Sequence, residues 1–230
     1  MGKLGDTITF NGTDIYTAYS ADLIEKKPLY GVVSSVYRKN AGLCGYKLYD
    51  SDIPLKNLEM AFYVEGANAA GCEENVSKFI AHAKSTVIGH PASGFEYPAI
   101  LLSYTDEDTK VDFYHKVTMK FGAIKRKPKV TTTLTSSGTI TNTGTAKTGL
   151  KLSFTASSSH SDLHFAGAVF DAVAGHTYVI DGIDGAFTDN GDNCLGDVVM
   201  YQWPELDVGS NSITIPTGET VTAEYYPVFE

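Results

Sequence analysis

Near its C-terminus the chain alternates strictly between apolar and polar positions. Val221, Ala223 and Tyr225 oppose Thr220, Thr222 and Glu224, and Ile213 and Ile215 oppose Ser212 and Thr214. A period of two marks half-buried strands. Between them Pro216-Thr217-Gly218-Glu219 suits a turn, because proline presets φ and glycine tolerates positive φ. Trp203 to Glu230 is therefore predicted as a closing hairpin whose two strands pair with each other, with a second reversal at Leu206–Asn211. The same alternation runs through Val130–Phe154, where Leu134, Ile140, Leu150, Leu152 and Phe154 supply buried positions for two or three short strands. Ser161–Val169, His176–Asp181 and Asp197–Tyr201 continue the series, the spacing of an all-β sandwich.

The first half reads differently. Asn11-Gly12 between alternating segments predicts a hairpin over Asp6–Tyr16; the overlapping Asn11-Gly12-Thr13 sequon is better explained by that turn. Tyr30–Tyr37, Gly45–Tyr49 and Leu55–Val64 are strand candidates, with Asn40–Gly45 joining the first two. A helix is predicted over about 73–87, since Val76, Phe79, Ile80, Ala83 and Val87 form one stripe. Glu73 and Glu74 suit its N-terminal end, Lys84 its last turn, and Gly89 and Pro91 its stop. His82 lies off the stripe and is read as solvated. Tyr97–Tyr104 and Val111–Gly122 follow as strands joined by an acidic turn, Asp106-Glu107-Asp108. On the second strand, Val111, Phe113, His115, Val117, Met119 and Phe121 share a face, which makes His115 a paired core or interface histidine rather than a ligand.

Composition adds a boundary. Residues 1–130 carry 16 Lys+Arg and 15 Asp+Glu, a net of +1, while residues 131–230 carry 2 and 12, a net of −10. The acidic half argues against nucleic acid, whose binding rests on phosphate attraction. Lys125-Arg126-Lys127-Pro128-Lys129 is a short basic linker without interleaved aromatics, so it reads as a linker before a nucleic-acid patch. With 230 residues, 43% hydrophobic and 20% charged, the chain can bury a sizeable core. No apolar run is long enough for a membrane span, and the first residues show neither a signal-peptide core nor, with Asp6 at the Ser/Thr position, a myristoylation signal. Cys44, Cys72 and Cys194 are odd in number and widely spaced, hence read as reduced thiols.

Candidate chemistry is sparse. There is no nucleophile elbow, P-loop or HExxH. His160, Asp162 and His164 would share a strand face and could ligate zinc or nickel, or simply form a solvated face. Asp181–Gly185 and Asp189–Asn193 gather hard oxygens that would suit calcium, yet lack EF-hand spacing and also read as turns. Trp203 either stacks on a sugar ring or fills a core or rim position. No catalytic, cofactor-binding or metal-binding residue is expected, and the chain is not read as an enzyme.

The order of features resembles the distal tail protein of long-tailed, non-contractile bacteriophages, a siphovirus-type tail component. The resemblance rests on Ile8-Thr9-Phe10-Asn11-Gly12-Thr13-Asp14-Ile15, the helix inserted after several strands and Ile140–Thr145. It extends through Tyr178-Val179-Ile180-Asp181, followed by a Gly/Asp loop, to Trp203-Pro204-Glu205-Leu206 and Gly209–Thr214. At the terminus Tyr225-Tyr226-Pro227-Val228-Phe229 stands where such proteins often carry an arginine. The resemblance implies a mainly β chain: an N-terminal ring-forming β-domain with one helix (1–129) and a C-terminal galectin-like antiparallel β-sandwich (130–230). It implies a homohexameric ring in the virion tail tip, assembled in the host bacterial cytoplasm. The partners implied are the tail tube protein, the tail-tip hub and receptor-binding proteins, with no nucleic acid. A carbohydrate-binding module built on the sandwich is the alternative.

Overall fold

The structure is a computed structural model that describes residues 6–32, 55–109, 111 and 113–229. The predicted strand over Gly45–Tyr49, its connection from Asn40, the end of the strand over Tyr30–Tyr37 and Cys44 lie outside the described residues. The chain is mainly antiparallel β and divides into two compact units, the first ending at Lys127 and the second beginning at Pro128.

The first unit opens with β1 (Thr9–Phe10) and β2 (Thr13–Asp14), joined by Asn11 at φ 49° and Gly12 at φ 81°. This is the turn that the Asn-Gly pair predicts, but the second arm is brief. Asp14 accepts a hydrogen bond from the Tyr16 amide at 3.0 Å and starts a one-turn helix, α1 (Ile15–Tyr19). Then come β3 (Ala21–Val32), β4 (Lys56–Glu65), α2 (Ala69–Ala83), β5 (Ser85–His90), β6 (Phe95–Asp108), β7 (Tyr114–Ala123) and β8 (Lys125–Arg126). The sheet order is β2-β1-β5-β6-β7-β4-β3, with β8 beside β6. Inward side chains alternate as pleating requires: Leu58, Met60, Phe62 and Val64 on β4, and Val117, Met119, Phe121 and Ala123 on β7. Val111 and Phe113, expected on that face, precede β7 and are exposed.

Helix α2 buries Cys72, Val76, Phe79 and Ala83 against this face. Phe79 stacks on Phe10 with centroids 5.4 Å apart and meets Phe62 edge-on at 4.9 Å. The helix begins and ends four residues earlier than predicted. Its cap is Asn68, whose side chain accepts from the Gly71 amide at 2.9 Å, so Glu73 and Glu74 sit inside it. At Lys84 the burial period changes from 3.6 to 2, Thr86 and Ile88 pointing inward. Ser85–His90 is instead a strand between β1 and β6, and Val87 and Gly89 belong to it. The β-branched Thr86, Val87 and Ile88 favour that state. Gly89 permits close packing, since a Cβ there would stand 2.3 Å from Thr9 Oγ1. His82 is half-buried, hydrogen-bonded through Nδ1 to the Tyr19 hydroxyl at 2.7 Å and edge-on to Phe10, which corrects its reading as a solvated residue. The acidic triplet is no turn: Asp106–Asp108 continue β6, with Asp108 opposite His115.

The second unit holds β9 (Val130–Leu134), β10 (Gly138–Asn142), β11 (Thr148–Thr155), β12 (His160–Phe165), β13 (Ala168–Ala172), β14 (Thr177–Asp181), β15 (Ala186–Asp189), β16 (Asp192–Asn193), β17 (Val199–Met200), β18 (Glu205–Leu206), β19 (Gly209–Ile213), β20 (Val221–Tyr225) and β21 (Val228–Phe229). One sheet runs β16-β15-β14-β11-β20-β9, with β18 beside β11; the other layer comprises β10-β19 and β12-β13-β17. Between them Phe154, Phe165, Phe170, Tyr178 and Phe187 form the aromatic centre of one core.

The predicted closing hairpin does not form. β19 pairs with β10, Gly138 opposite Ile213, whereas β20 lies between β11 and β9. The turn itself is present, with the Glu219 amide donating to the Pro216 carbonyl at 3.2 Å and Gly218 at φ 83°. The connection arches from one layer to the other, because Ile215 is buried in the core and Glu219 is anchored elsewhere. The Leu206–Asn211 reversal is present, held by Asn211 bonding the Asp207 amide and carbonyl at 2.9 and 2.8 Å. Ser161–Val169, predicted as one strand, is a hairpin that turns at Ala166 and Gly167, φ 52° and 81°; an alanine carries no turn signal. The predicted strand Asp197–Tyr201 is reduced to Val199–Met200.

Candidate functional site

The sequence-level candidates separate when placed in the fold. Asp162 adopts φ 52° and the register shifts between His160 and Leu163, so the alternation that would align His160, Asp162 and His164 is broken. Among the described residues no group of three or more His, Cys, Asp or Glu could hold a metal ion. Asp181 is buried, accepts from the Ile183 and Asp184 amides at 2.9 and 3.1 Å, and pairs with Lys151 at 3.1 Å. Asp189 bonds His176 Nδ1 at 2.9 Å, while Asn190 and Gly191, φ 49° and 91°, form the turn between β15 and β16. Both acidic loops thus spend their oxygens on their own backbone and neighbouring cations. Trp203 packs against the second core, as a core or rim residue. His115 bonds Asp106 at 2.8 Å, the paired histidine expected. In the basic stretch Arg126 pairs with Glu96 at 3.3 Å, Lys129 with Glu224 at 2.7 Å, and Lys125 lies 4.2 Å over the Phe95 ring.

Sequence reasoning missed one polar cluster. The Glu219 carboxylate, with 2% of the residue exposed, accepts from the Ser157 amide at 2.9 Å and the Ser157 hydroxyl at 2.8 Å. His160 Nε2 lies 3.5 Å from Glu219 and 3.1 Å from the Ser158 hydroxyl. A nucleophilic relay needs the carboxylate on one ring nitrogen and the hydroxyl on the other. Here both face Nε2, so the cluster ties the Ser157 turn to the arch before β20 and activates nothing.

The two surfaces with something left to bind are elsewhere. On β6 the partner strand β5 ends where Ser85 faces Ile100, and the Leu101 amide closes that side by donating to the Lys84 carbonyl at 3.1 Å. Beyond it, Leu102–Asp108 pair with β7 alone among the described residues, and all seven are exposed. A bulge between Leu101 and Ser103 offsets this segment. Its start is apolar, with Ile100, Leu102 and Tyr104 each about half exposed; its end is acidic, with Glu107 reaching Lys116 at 3.4 Å. A long strand edge with unpaired amides and carbonyls is a template for another chain unless charge or proline blunts it. Leu102–Thr105 contain neither.

In the second unit Val199 and Tyr201 stand out, Tyr201 with 76% of its surface exposed. Tyr201 borders a depression of about 260 Å³ whose other wall is Thr214–Pro216. A second depression, about 390 Å³, lies beside Glu219 and is lined by hydroxyls, including those of Ser153, Thr155, Thr177 and Thr222. Thr155 and Thr177 already bond each other at 2.9 Å.

Comparison with known proteins gives a fold without a sequence relative. No protein-family model matches the chain, and no curated protein matches it. Among solved structures, the Dit protein (gp 19.1) of phage SPP1, described as a paradigm of the hub adsorption apparatus in phages infecting Gram-positive bacteria, is similar at 18% identity and a TM-score of 0.62. The match covers 97% of this chain and 99% of that one. Two structures of the phage p2 baseplate in its activated conformation, with Sr and with Ca, match at 9% and 8% identity, TM-score 0.46, over 91% of this chain and 92% of theirs; at that distance they carry no weight below. The chain therefore has the fold of a phage tail hub protein from end to end. No helix among the described residues is long and apolar enough to cross a membrane.

Proposed function

We propose that this chain is a structural component of a phage tail tip, a distal tail protein that forms a ring and links the tail tube to the receptor-binding apparatus. The observation that carries the reading is the end-to-end fold match with the SPP1 hub protein. Both units take part in that match, so a stray sandwich resemblance does not account for it; fold alone says little about function, but an assembly role is a property of the whole chain. Residues 1–129 form the ring and residues 130–230 the peripheral sandwich. The open edge of β6 supplies a physical means of self-association. An edge that meets a different surface of the next copy makes a head-to-tail contact, which closes into a ring when the rotation allows. Six copies of the 24.8 kDa chain would give about 149 kDa. In this reading the chain has no reactive centre, works in the virion, and meets the tail tube protein on one side and the tip proteins on the other.

Mass photometry and negative-stain imaging of the purified protein, alone at high concentration and mixed with its tail tube protein, test the proposal. Closed rings with a sixfold mass are expected. A strict monomer under both conditions, with no ring in the images, overturns it.

A further inference from the structure

We propose that the depression beside Tyr201 is a binding site for a neutral saccharide, a function beyond ring assembly. Tyr201 presents most of its ring to solvent, and no side-chain partner of its ring or hydroxyl is recorded among the described residues. Its backbone is nevertheless pinned. The Tyr201 amide donates to the Gly167 carbonyl at 2.9 Å and the Gln202 amide donates to the same oxygen at 3.3 Å. Gly167 is required there, since a Cβ would stand 2.2 Å from the Gln202 carbonyl oxygen. The aromatic platform is thus anchored at its base before any ligand arrives, which lowers the entropy lost on binding.

The chemistry of the surroundings selects the ligand. The hollow of about 260 Å³ is bordered by His164, Gly167, Val169, Tyr201, Thr214 and Pro216, and no Asp, Glu, Lys or Arg lines it. That volume lies just below the range of drug-sized pockets and suits about one ring. On the sheet, Val169 pairs with both His164 and Val199, so these three side chains share one face across β12, β13 and β17. An aromatic face with an aliphatic neighbour packs against the C–H face of a sugar ring, while His164, Thr214 and the tyrosine hydroxyl can bond its hydroxyls. Anionic ligands are disfavoured, because residues 131–230 carry a net charge of −10 and the hollow offers no cation. A neutral polyol with one apolar face is what remains.

The test uses the full-length protein on an array of neutral oligosaccharides built from hexoses and N-acetylhexosamines, printed beside sulfated and phosphorylated glycans, with titration calorimetry on the best neutral hit. Saturable binding to a subset of the neutral glycans is expected. Tyr201→Ala should weaken it by about tenfold or more, and Tyr201→Phe, which keeps the aromatic face, should retain most of it. Thermal melts should be unchanged for both variants, given the exposure of this side chain, and ring formation is scored on the same samples so that loss of sugar binding is read apart from loss of assembly. No binding to any neutral glycan, binding confined to anionic ones, or binding undiminished in Tyr201→Ala overturns the proposal. So does a Tyr201→Ala variant that loses only capture of another tail protein.

Discussion

If the β6 edge holds neighbouring copies together, charging its apolar start should dissolve the ring and spare the fold. Ile100, Leu102 and Tyr104 are 52%, 49% and 50% exposed. Burying a large apolar side chain completely is worth about 1.5–3 kcal/mol, so covering the exposed half of each contributes about 1 kcal/mol, or about 3 kcal/mol for the three. At 1.4 kcal/mol per tenfold, replacing all three by lysine weakens each contact by about 100-fold before the cost of desolvating the new charges is added. Inside the monomer the same changes remove little, since exposed substitutions away from caps and cores shift stability by about 0.5 kcal/mol or less each. Mass photometry over a dilution series should show the variant's oligomer midpoint displaced upward by about two decades, with its melting temperature close to the parent's. Tyr104→Lys alone, expected to shift the midpoint about fivefold, guards against a triple variant that misfolds. Rings that persist at the parent's concentrations in both variants would refute the assignment of this edge.

Three further outcomes follow from the interior. Phe79→Ala removes a fully buried ring stacked between Phe10 and Phe62 and should cost about 3–5 kcal/mol in urea unfolding; a loss below about 1 kcal/mol would mean α2 is not packed as described. Gly182→Ala would place a Cβ 2.0 Å from the Pro204 carbonyl oxygen, while Gly196→Ala meets nothing within 4 Å. The first should lower stability by about 2 kcal/mol or more and the second by less than about 0.5, as differential scanning fluorimetry can compare. Alkaline pH should weaken the fold: burial raises the Cys72 thiol above its ordinary 9.0 and the Tyr178 and Tyr225 phenols above 10.0. The unfolded chain then releases these protons first, so their contribution is complete below 9.0 and lost as pH rises through the ordinary values toward the raised ones. Melting temperatures should fall across that window, and Tyr225→Phe should flatten the fall; a pH-independent melt contradicts the burial of these groups.

Much of this was legible in the residues, and the failures share a cause. The Asn11-Gly12 turn, the strands ending at Phe154 and Asp181, and the existence of one long helix all follow from local torsion and periodicity. The end of α2 was misplaced because Val87 continues the helical stripe on paper, while the Thr9–Phe10 strand and β6 recruit Ser85–His90 into a sheet. His82 was misread because its partner, Tyr19, is 63 residues away. Neither surface proposed to bind anything was visible: Leu102 and Tyr104 read as ordinary strand residues until β5 is seen to stop at Ser85. Tyr201 drew no notice beside Trp203, though the fold packs the tryptophan and leaves the tyrosine bare.

By itself, the sequence determined where the backbone turns, which residues of each strand share a face, and that two chemically distinct halves exist, since these depend on φ preference, a period of two, and charge. Only the tertiary structure decided which strand lies beside which. Ile213 and Val221 carry the same alternation and are joined by a sound turn, yet they enter different layers. An alternating strand presents the same hydrogen-bonding edge to any partner, so pairing is chosen by burial of side chains distant in the chain, such as Ile215 and Glu219.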